Sequence, residues 1–184
     1  MPCLPPTAAL RSVQPVLPAL LCCAMLAGCS PAQDWRELRP EGSGATLLFP
    51  CKPTRHVRDL SLAGAPVRLT LHACTAGDDL TYALAVAELA DPARIAGTLR
   101  ALRDSAAGNV GAAAPTPLPL AVRGATPNAQ SGRGAYTGQR GDGQPVQLQI
   151  AVFTKGTRVY QATVIGRRIG DEAAETFFSA LRTP

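Results

Sequence analysis

The chain has 184 residues, of which 46% are hydrophobic and 4% aromatic, and it carries a formal net charge of +5. This length suits one domain plus a targeting segment and argues against two stacked domains. The basic residues are dispersed, with no run of adjacent Lys or Arg longer than Arg167-Arg168. A mildly basic surface suits anionic lipid headgroups or acidic glycans. Because basic and aromatic residues are not interleaved, the composition disfavours a nucleic-acid partner.

Residues 1–28 have the layout of an export signal. Arg11 is the one charged residue before the apolar run ALLCCAMLAG, which spans residues 19–28 and has the length of a signal-peptide core. A membrane-spanning helix needs about 20 apolar residues, so this run is too short to span a bilayer. The run leads directly into a cysteine at position 29.

The tetrapeptide Leu26-Ala27-Gly28-Cys29 resembles the lipobox of bacterial lipoprotein signal peptides. The resemblance implies that residues 1–28 are removed and that the Cys29 thiol receives diacylglycerol. Two or three acyl chains, at about 0.8 kcal/mol per buried CH₂, would tether the protein to a membrane. By resemblance to enteric lipoproteins, the non-acidic Ser30 favours the periplasmic face of the outer membrane over the inner membrane. The alternative is an ordinary secretory leader, with Cys29 free or disulfide-bonded.

The mature chain is then predicted to have two parts. Residues 29–44, which hold the single Trp35, form the lipid anchor and a short tether. Residues 45–184 form a single domain, since the length leaves room for only one domain of ordinary size.

Two of the six cysteines are left for the exported domain. Cys3, Cys22 and Cys23 leave with the leader and Cys29 carries the lipid, so Cys51 and Cys74 remain. An even pair in an oxidising compartment predicts a disulfide. The alternatives are two buried free thiols or a metal pair, although two thiols and two scattered histidines lack metal-ligand spacing.

The predicted strand register places Cys51 and Cys74 too far apart for a disulfide between straight strands. The strands on either side of residues 63–64 read as a hairpin, and one register places Leu60 opposite Leu69. Cys51 then lies four residues, about 13 Å, beyond the position opposite Cys74. A bridge in that register requires the proline-flanked segment around Cys51 to fold back across the sheet.

Hydrophobic periodicity predicts an α+β fold, an antiparallel sheet of about six strands covered by two main helices in an α/β sandwich. The Asp91-Pro92 pair predicts a helix start, and Asp171 is predicted to cap the last helix. The predicted strands cover 45–50, 54–62, 66–74, 80–89, 118–122, 132–139, 144–153 and 157–166, and the predicted helices begin at 92 and 171.

Short patterns at both ends of the domain suggest a family. Phe49-Pro50 with Pro53, VYQATVIG at 159–166 and EAAETFFSAL at 172–181 resemble exported bacterial proteins related to photosystem II subunit P and the Ran-binding Mog-type domain. The resemblance implies an assembly factor, an extrinsic subunit or a small binding protein. It carries over no shared catalytic set, and the metal-binding and GTPase-binding residues of some members have no matching motif here.

Few residues suggest catalysis. Ser61, His72 and Asp59 supply the residue types of a hydrolase triad without a nucleophile elbow. The acidic pairs at 78–79 and 171–172 occupy positions that turns and helix starts favour. The RGD tripeptide at 140–142 has the composition of a hairpin turn.

The best surface candidate is a polar strip on one hairpin. Arg68, Thr70 and His72 alternate with apolar residues on one strand, and Arg58 on the preceding strand could join them. A solvated outer sheet face explains the same pattern.

These observations predict a non-catalytic envelope accessory or assembly module, without a cofactor or metal, whose partners are the membrane and an envelope protein. The alternative is a carrier for a small amphiphile or cell-wall fragment, held between the sheet and the Pro-rich loop 111–134. A hydrolase is the third reading. The sequence leaves the ligand and the oligomeric state open.

Overall fold

A computed structural model describes residues 33–77 and 79–184. The predicted leader and Cys29 lie outside the described residues. The described chain contains nine strands, β1 Arg36–Leu38, β2 Leu47–Phe49, β3 Thr54–Leu62, β4 Ala65–Ala76, β5 Leu80–Glu88, β6 Thr116–Leu118, β7 Gly132–Gln139, β8 Pro145–Lys155 and β9 Arg158–Gly166. It contains two α-helices, α1 Ile95–Gly108 and α2 Asp171–Ser179, and a 3₁₀ turn at Pro92–Arg94.

Seven of these strands form one antiparallel sheet in the order β3-β4-β5-β9-β8-β7-β6, and β1 pairs with β2 separately. The α+β prediction is therefore confirmed, with seven strands in the main sheet rather than six. The central strands are buried on both faces, because each face is covered by a helix.

One face of the sheet packs against α2 and the β1–β2 pair. Phe177 lies at the centre of this layer, with its ring edge-on to Phe49 and Tyr82 at centroid distances of 5.6 and 5.4 Å. Phe153 and Tyr160 stack at 4.8 Å on the sheet below. The apolar residues of α2 recur at i, i+3 and i+4, which places them together on the face of the helix that meets the sheet, as the sequence predicts.

The opposite face packs against α1. Leu99 and Leu102 of the helix meet sheet residues such as Ile150 and Val152 in a second hydrophobic cluster. Asp91 accepts a hydrogen bond from the Ala93 backbone N–H at 2.9 Å, which confirms the predicted cap, although the first turn is 3₁₀ rather than α.

The cap predicted for α2 is wrong by one residue. Gly170 is the N-cap and Asp171 is the first helical residue, without a side-chain capping bond. The strand predicted at 118–122 is also displaced, since β6 ends at Leu118. Backbone propensity alone leaves such boundaries loosely determined.

The N-terminal segment belongs to the domain from residue 33 onward rather than forming a tether as far as 44. β1 pairs with β2, and Ser43 is fully buried, with its carbonyl accepting from the Tyr160 hydroxyl at 2.9 Å. Arg182 near the C-terminus forms bridges with Thr46 and Arg123 and an ion pair with Glu37. These long-range contacts explain why local sequence could not place the boundary.

The β3–β4 hairpin has a tighter register than predicted. Leu60 lies opposite Val67, not Leu69, and Leu62 lies opposite Ala65. The loop is therefore only Ala63-Gly64, and both residues have positive φ angles of 49° and 76°. Two left-handed residues are what a type I′ turn requires, and that turn fixes the two-residue shift.

Candidate functional site

The polar strip predicted on the hairpin is only partly assembled. Arg68 and Thr70 share a face with Asp59 and Val57, their partners on β3. Arg58 lies opposite Leu69 and therefore on the other face of the sheet. The prediction that Arg58 joins the strip is wrong. The strand period of two explains this, since residues paired across an antiparallel ladder project to the same side.

His72 is also displaced from the expected surface, because its side chain is buried. The residue is 4% exposed, and its Nε2 has no hydrogen-bond partner among the described residues. Burial lowers the pKa of His72 below its usual value of 6.5, and the charge of Arg55 lowers it further, while the backbone and charge of Glu41 oppose the shift. His72 is thus a neutral core histidine rather than a surface ligand.

We expect the protein to lose stability as the pH falls below 6.5, the unfolded-state pKa of His72. The unfolded chain then binds a proton that the folded chain resists, so the free energy of unfolding declines until the folded-state pKa is reached. Within that window the His72 contribution is at most about 1.4 kcal/mol per pH unit. Urea unfolding at pH 7.5 and 5.5 measures it.

The matched variants for this pH experiment are His72→Gln and His56→Gln. His72→Gln should flatten the pH dependence, and His56→Gln makes the same substitution at an exposed position on β3. A pH dependence equal in wild type and His72→Gln would show that another group is responsible.

The predicted disulfide is present in the structure. Cys51 and Cys74 are bridged with their Cα atoms 6.0 Å apart, and they connect the segment before β3 to β4. The observed register makes this possible, because the position opposite Cys74 lies two residues closer to Cys51 than in the predicted register. The bridge fastens the segment that leads into the edge strand β3 to its neighbour β4.

β3 is the most exposed strand of the sheet. Every side chain from Thr54 to Ser61 is exposed except Val57, which is half-buried. The strand is nine residues long, and its outer edge has no neighbouring strand in the seven-stranded sheet. Its exposed side chains include Arg55, Arg58 and Leu60.

A cleft lies at the end of the sheet where β9 meets α2. Its volume is about 910 Å³, and its lining includes Gln33, Asp79, Leu80, Arg167, Arg168 and Ala173. Gln33 donates a hydrogen bond from Nε2 to the Tyr82 hydroxyl at 2.9 Å, and burial raises the pKa of Tyr82. The cleft therefore combines two guanidinium groups with a neutral, hydrogen-bonded phenol beside it.

The cleft at the Pro-rich loop is smaller. It has a volume of about 390 Å³ and lies between residues 121–123 of the loop and 179–182 after α2. Residues 116–118 of the loop form the strand β6, and Thr126 forms an isolated β-bridge with Thr154. The loop therefore packs onto the sheet. The space expected for a carried amphiphile is thus partly filled by the loop itself.

The three residues considered as a hydrolase triad do not converge. His72 lies opposite Arg55, and Asp59 and Ser61 are four and six residues farther along β3. At strand spacing these intervals are about 13 and 20 Å, beyond hydrogen-bond reach. In addition, no group of three metal-ligating side chains comes together within residues 33–77 and 79–184.

Arg133 is a buried arginine that the sequence does not predict. The Arg133 side chain on β7 is 3% exposed and forms an ion pair with Glu175 of α2, with Nη1 and Oε1 2.7 Å apart. Its Nη2 donates to the Gln149 side-chain oxygen at 2.6 Å, and its guanidinium lies 4.0 Å from the centre of the Phe178 ring. This arginine joins α2 to the sheet.

No local signal identifies Arg133, because it sits in a glycine-rich strand, GRGAYTGQ, that resembles a turn-rich segment. Its partners Gln149, Glu175 and Phe178 come from β8 and α2. Only the pairing of β7 with β8 turns its side chain toward α2.

Comparison with models of known protein families finds no match for this chain, and comparison with curated proteins finds none either. In the part of the chain that the structure describes, no helix is both long and apolar enough to cross a bilayer.

Proposed function

We propose that this protein is a lipid-anchored binding module of the bacterial envelope that recruits a partner through the β3–β4 hairpin. The anchor is Cys29, supported by the lipobox-like sequence Leu26 to Cys29. The outer membrane is the proposed site of attachment, since Ser30 follows the cysteine. The hairpin acts as a non-catalytic docking element for an extended segment of an envelope protein.

The exposed edge of β3 is the observation that carries this proposal. A nine-residue edge strand offers unpaired backbone N–H and C=O groups to an incoming strand. Leu60, at 38%, is the one large apolar side chain found exposed within the described residues. It supplies an apolar contact beside the backbone ladder.

The charges on the hairpin restrict which strand can dock. Arg55, Arg58 and Arg68 are exposed there, and Asp59 is the acidic residue among them. Charged side chains on an edge suppress indiscriminate pairing, and a partner segment with acidic residues would relieve the excess positive charge. The resemblance to the photosystem II subunit P and Mog-type proteins, which include assembly factors and extrinsic subunits, points in the same direction.

The test is crosslinking in the native envelope followed by purification of the protein. We expect a stoichiometric partner with the wild-type chain and at least about a tenfold lower yield with Arg58→Glu/Arg68→Glu, because attractive charges become repulsive. The control Arg100→Glu/Arg140→Glu makes the same charge change on α1 and in the β7–β8 turn, and it should retain the partner.

Cys29→Ser tests the anchor separately. The variant should lack the mass of the lipid and leave the membrane fraction. A wild-type protein that has no lipid on Cys29 would refute the anchor. Equal partner yield from both arginine double variants would refute the hairpin as the docking element, and small molecules that purify with the wild-type chain would then favour a carrier.

A further inference from the structure

We propose that the cleft between β9 and α2 binds the phosphate of an anionic phospholipid in the same bilayer that holds the anchor. This inference rests on the proposed lipidation of Cys29. It assigns a ligand class to the large cleft and an orientation to the anchored domain.

Chain length brings this cleft to the membrane. The chain is fixed from residue 33, where Gln33 binds Tyr82, and the Asp34 N–H donates to the Pro50 carbonyl at 3.1 Å. Only four residue steps separate Cys29 from Gln33, and four steps span at most about 14 Å. Because Gln33 lines the cleft, the cleft cannot lie far from the headgroups that surround the lipidated cysteine.

The cleft has the chemistry for a phosphate diester. Arg167 and Arg168 are exposed and line it together, and a guanidinium can donate two parallel hydrogen bonds to phosphate oxygens. The ion pairs found among the described residues involve Arg36, Arg133, Arg158 and Arg182 instead. The volume of about 910 Å³ is sufficient for a phospholipid headgroup.

The acidic residues nearby limit long-range attraction. Asp79 lines the cleft, and Asp171 and Glu172 begin α2 beside it. The site is therefore weak for a headgroup met from solution. The anchor compensates, because tethering makes the headgroup contact intramolecular and raises its effective concentration.

Trp35 provides a direct readout, since it is the single tryptophan of the chain and packs edge-on against Tyr82 at 5.6 Å. The purified full-length mature protein would be reconstituted into phosphatidylcholine vesicles with and without phosphatidylglycerol. Quenching of Trp35 by brominated acyl chains then reports how closely this end of the domain approaches the bilayer.

We expect stronger quenching in vesicles that contain phosphatidylglycerol, and Arg167→Gln/Arg168→Gln should reduce it to the phosphatidylcholine level. The two arginines together should change the fraction of protein that lies with this cleft against the bilayer by up to about thirtyfold. The control Arg100→Gln/Arg140→Gln removes the same charge from α1 and from the β7–β8 turn, and it should behave as wild type. Near-ultraviolet circular dichroism checks that each variant is folded.

Two results would overturn the inference in distinguishable ways. Equal quenching of wild type and Arg167→Gln/Arg168→Gln, on a protein whose mass shows a lipidated Cys29, would refute the headgroup site and leave the anchor intact. A mass that shows an unmodified Cys29 would refute the anchor, and the headgroup site with it.

Discussion

Replacing Arg133 with Ala is expected to lower the free energy of unfolding by about 3 kcal/mol. The variant leaves a cavity under α2 and removes the cation–π contact with Phe178, whose ring lies 4.0 Å from the guanidinium. It also leaves the Gln149 side-chain oxygen without its donor. Urea unfolding followed by circular dichroism measures the change.

Replacing the partner Glu175 with Ala should lower the free energy of unfolding less than replacing Arg133. Its side chain is 63% exposed, so its carboxylate keeps much of its hydration in either state. Glu175→Ala nevertheless removes the ion pair of a buried guanidinium, and we expect a loss of about 1–2 kcal/mol. Glu172→Ala makes the same substitution one turn earlier on α2 and should cost less than about 1 kcal/mol.

The double variant Arg133→Ala/Glu175→Ala completes a thermodynamic cycle. If the two side chains act together, its loss will be smaller than the sum of the single losses. Strict additivity, or a change below 1 kcal/mol for Arg133→Ala, would contradict the role assigned to this arginine as the link between α2 and the sheet.

Reducing the Cys51–Cys74 disulfide is expected to lower the free energy of unfolding by about 3 kcal/mol on the chain-entropy model. The two cysteines are 23 residues apart, and the bridge closes a loop that contains all of β3. Without the bridge, the unfolded chain regains the freedom of that loop. Urea unfolding with and without a reductant measures the difference.

The matched variant is Cys51→Ala/Cys74→Ala, which should unfold at the same urea concentration with or without reductant. Its free energy of unfolding should also be close to that of the reduced wild-type protein. A small difference is expected because the half-buried Cys74 packs against the core and its sulfur atom is lost. Identical unfolding curves for oxidised and reduced wild type would show that the bridge adds no stability.

The bridge also bears on the proposed hairpin function. Because it lies next to the start of β3, we infer that it limits fraying of the exposed strand there. An edge strand that is held in place loses less conformational entropy when a partner strand pairs with it.

Local chemistry determined much of this fold in advance. The i, i+3, i+4 spacing of Ala174, Phe177 and Phe178 was enough to predict α2 and its buried face, and Asp91-Pro92 marked the start of the other helix. The alternation of Val67 and Leu69 with polar residues predicted β4. Such patterns are readable because each depends only on neighbours within one turn or one strand.

The candidate surfaces depended on contacts that no local pattern encodes. The two-residue turn set the hairpin register, which brought Cys51 within reach of Cys74. The loop at Glu41 folded over the sheet and turned His72 into a core residue.

The sequence by itself determined the secondary-structure types, the pair of cysteines available for a disulfide and the lipobox-like tetrapeptide, because these depend on residue type and short spacing. Only the tertiary structure decided that Arg133 is buried under α2 and that Arg167 and Arg168 share a cleft with Gln33. Gln33 is separated from those arginines by more than a hundred residues. Sheet pairing brings such distant residues together, and it optimises burial over the whole domain rather than along any one segment.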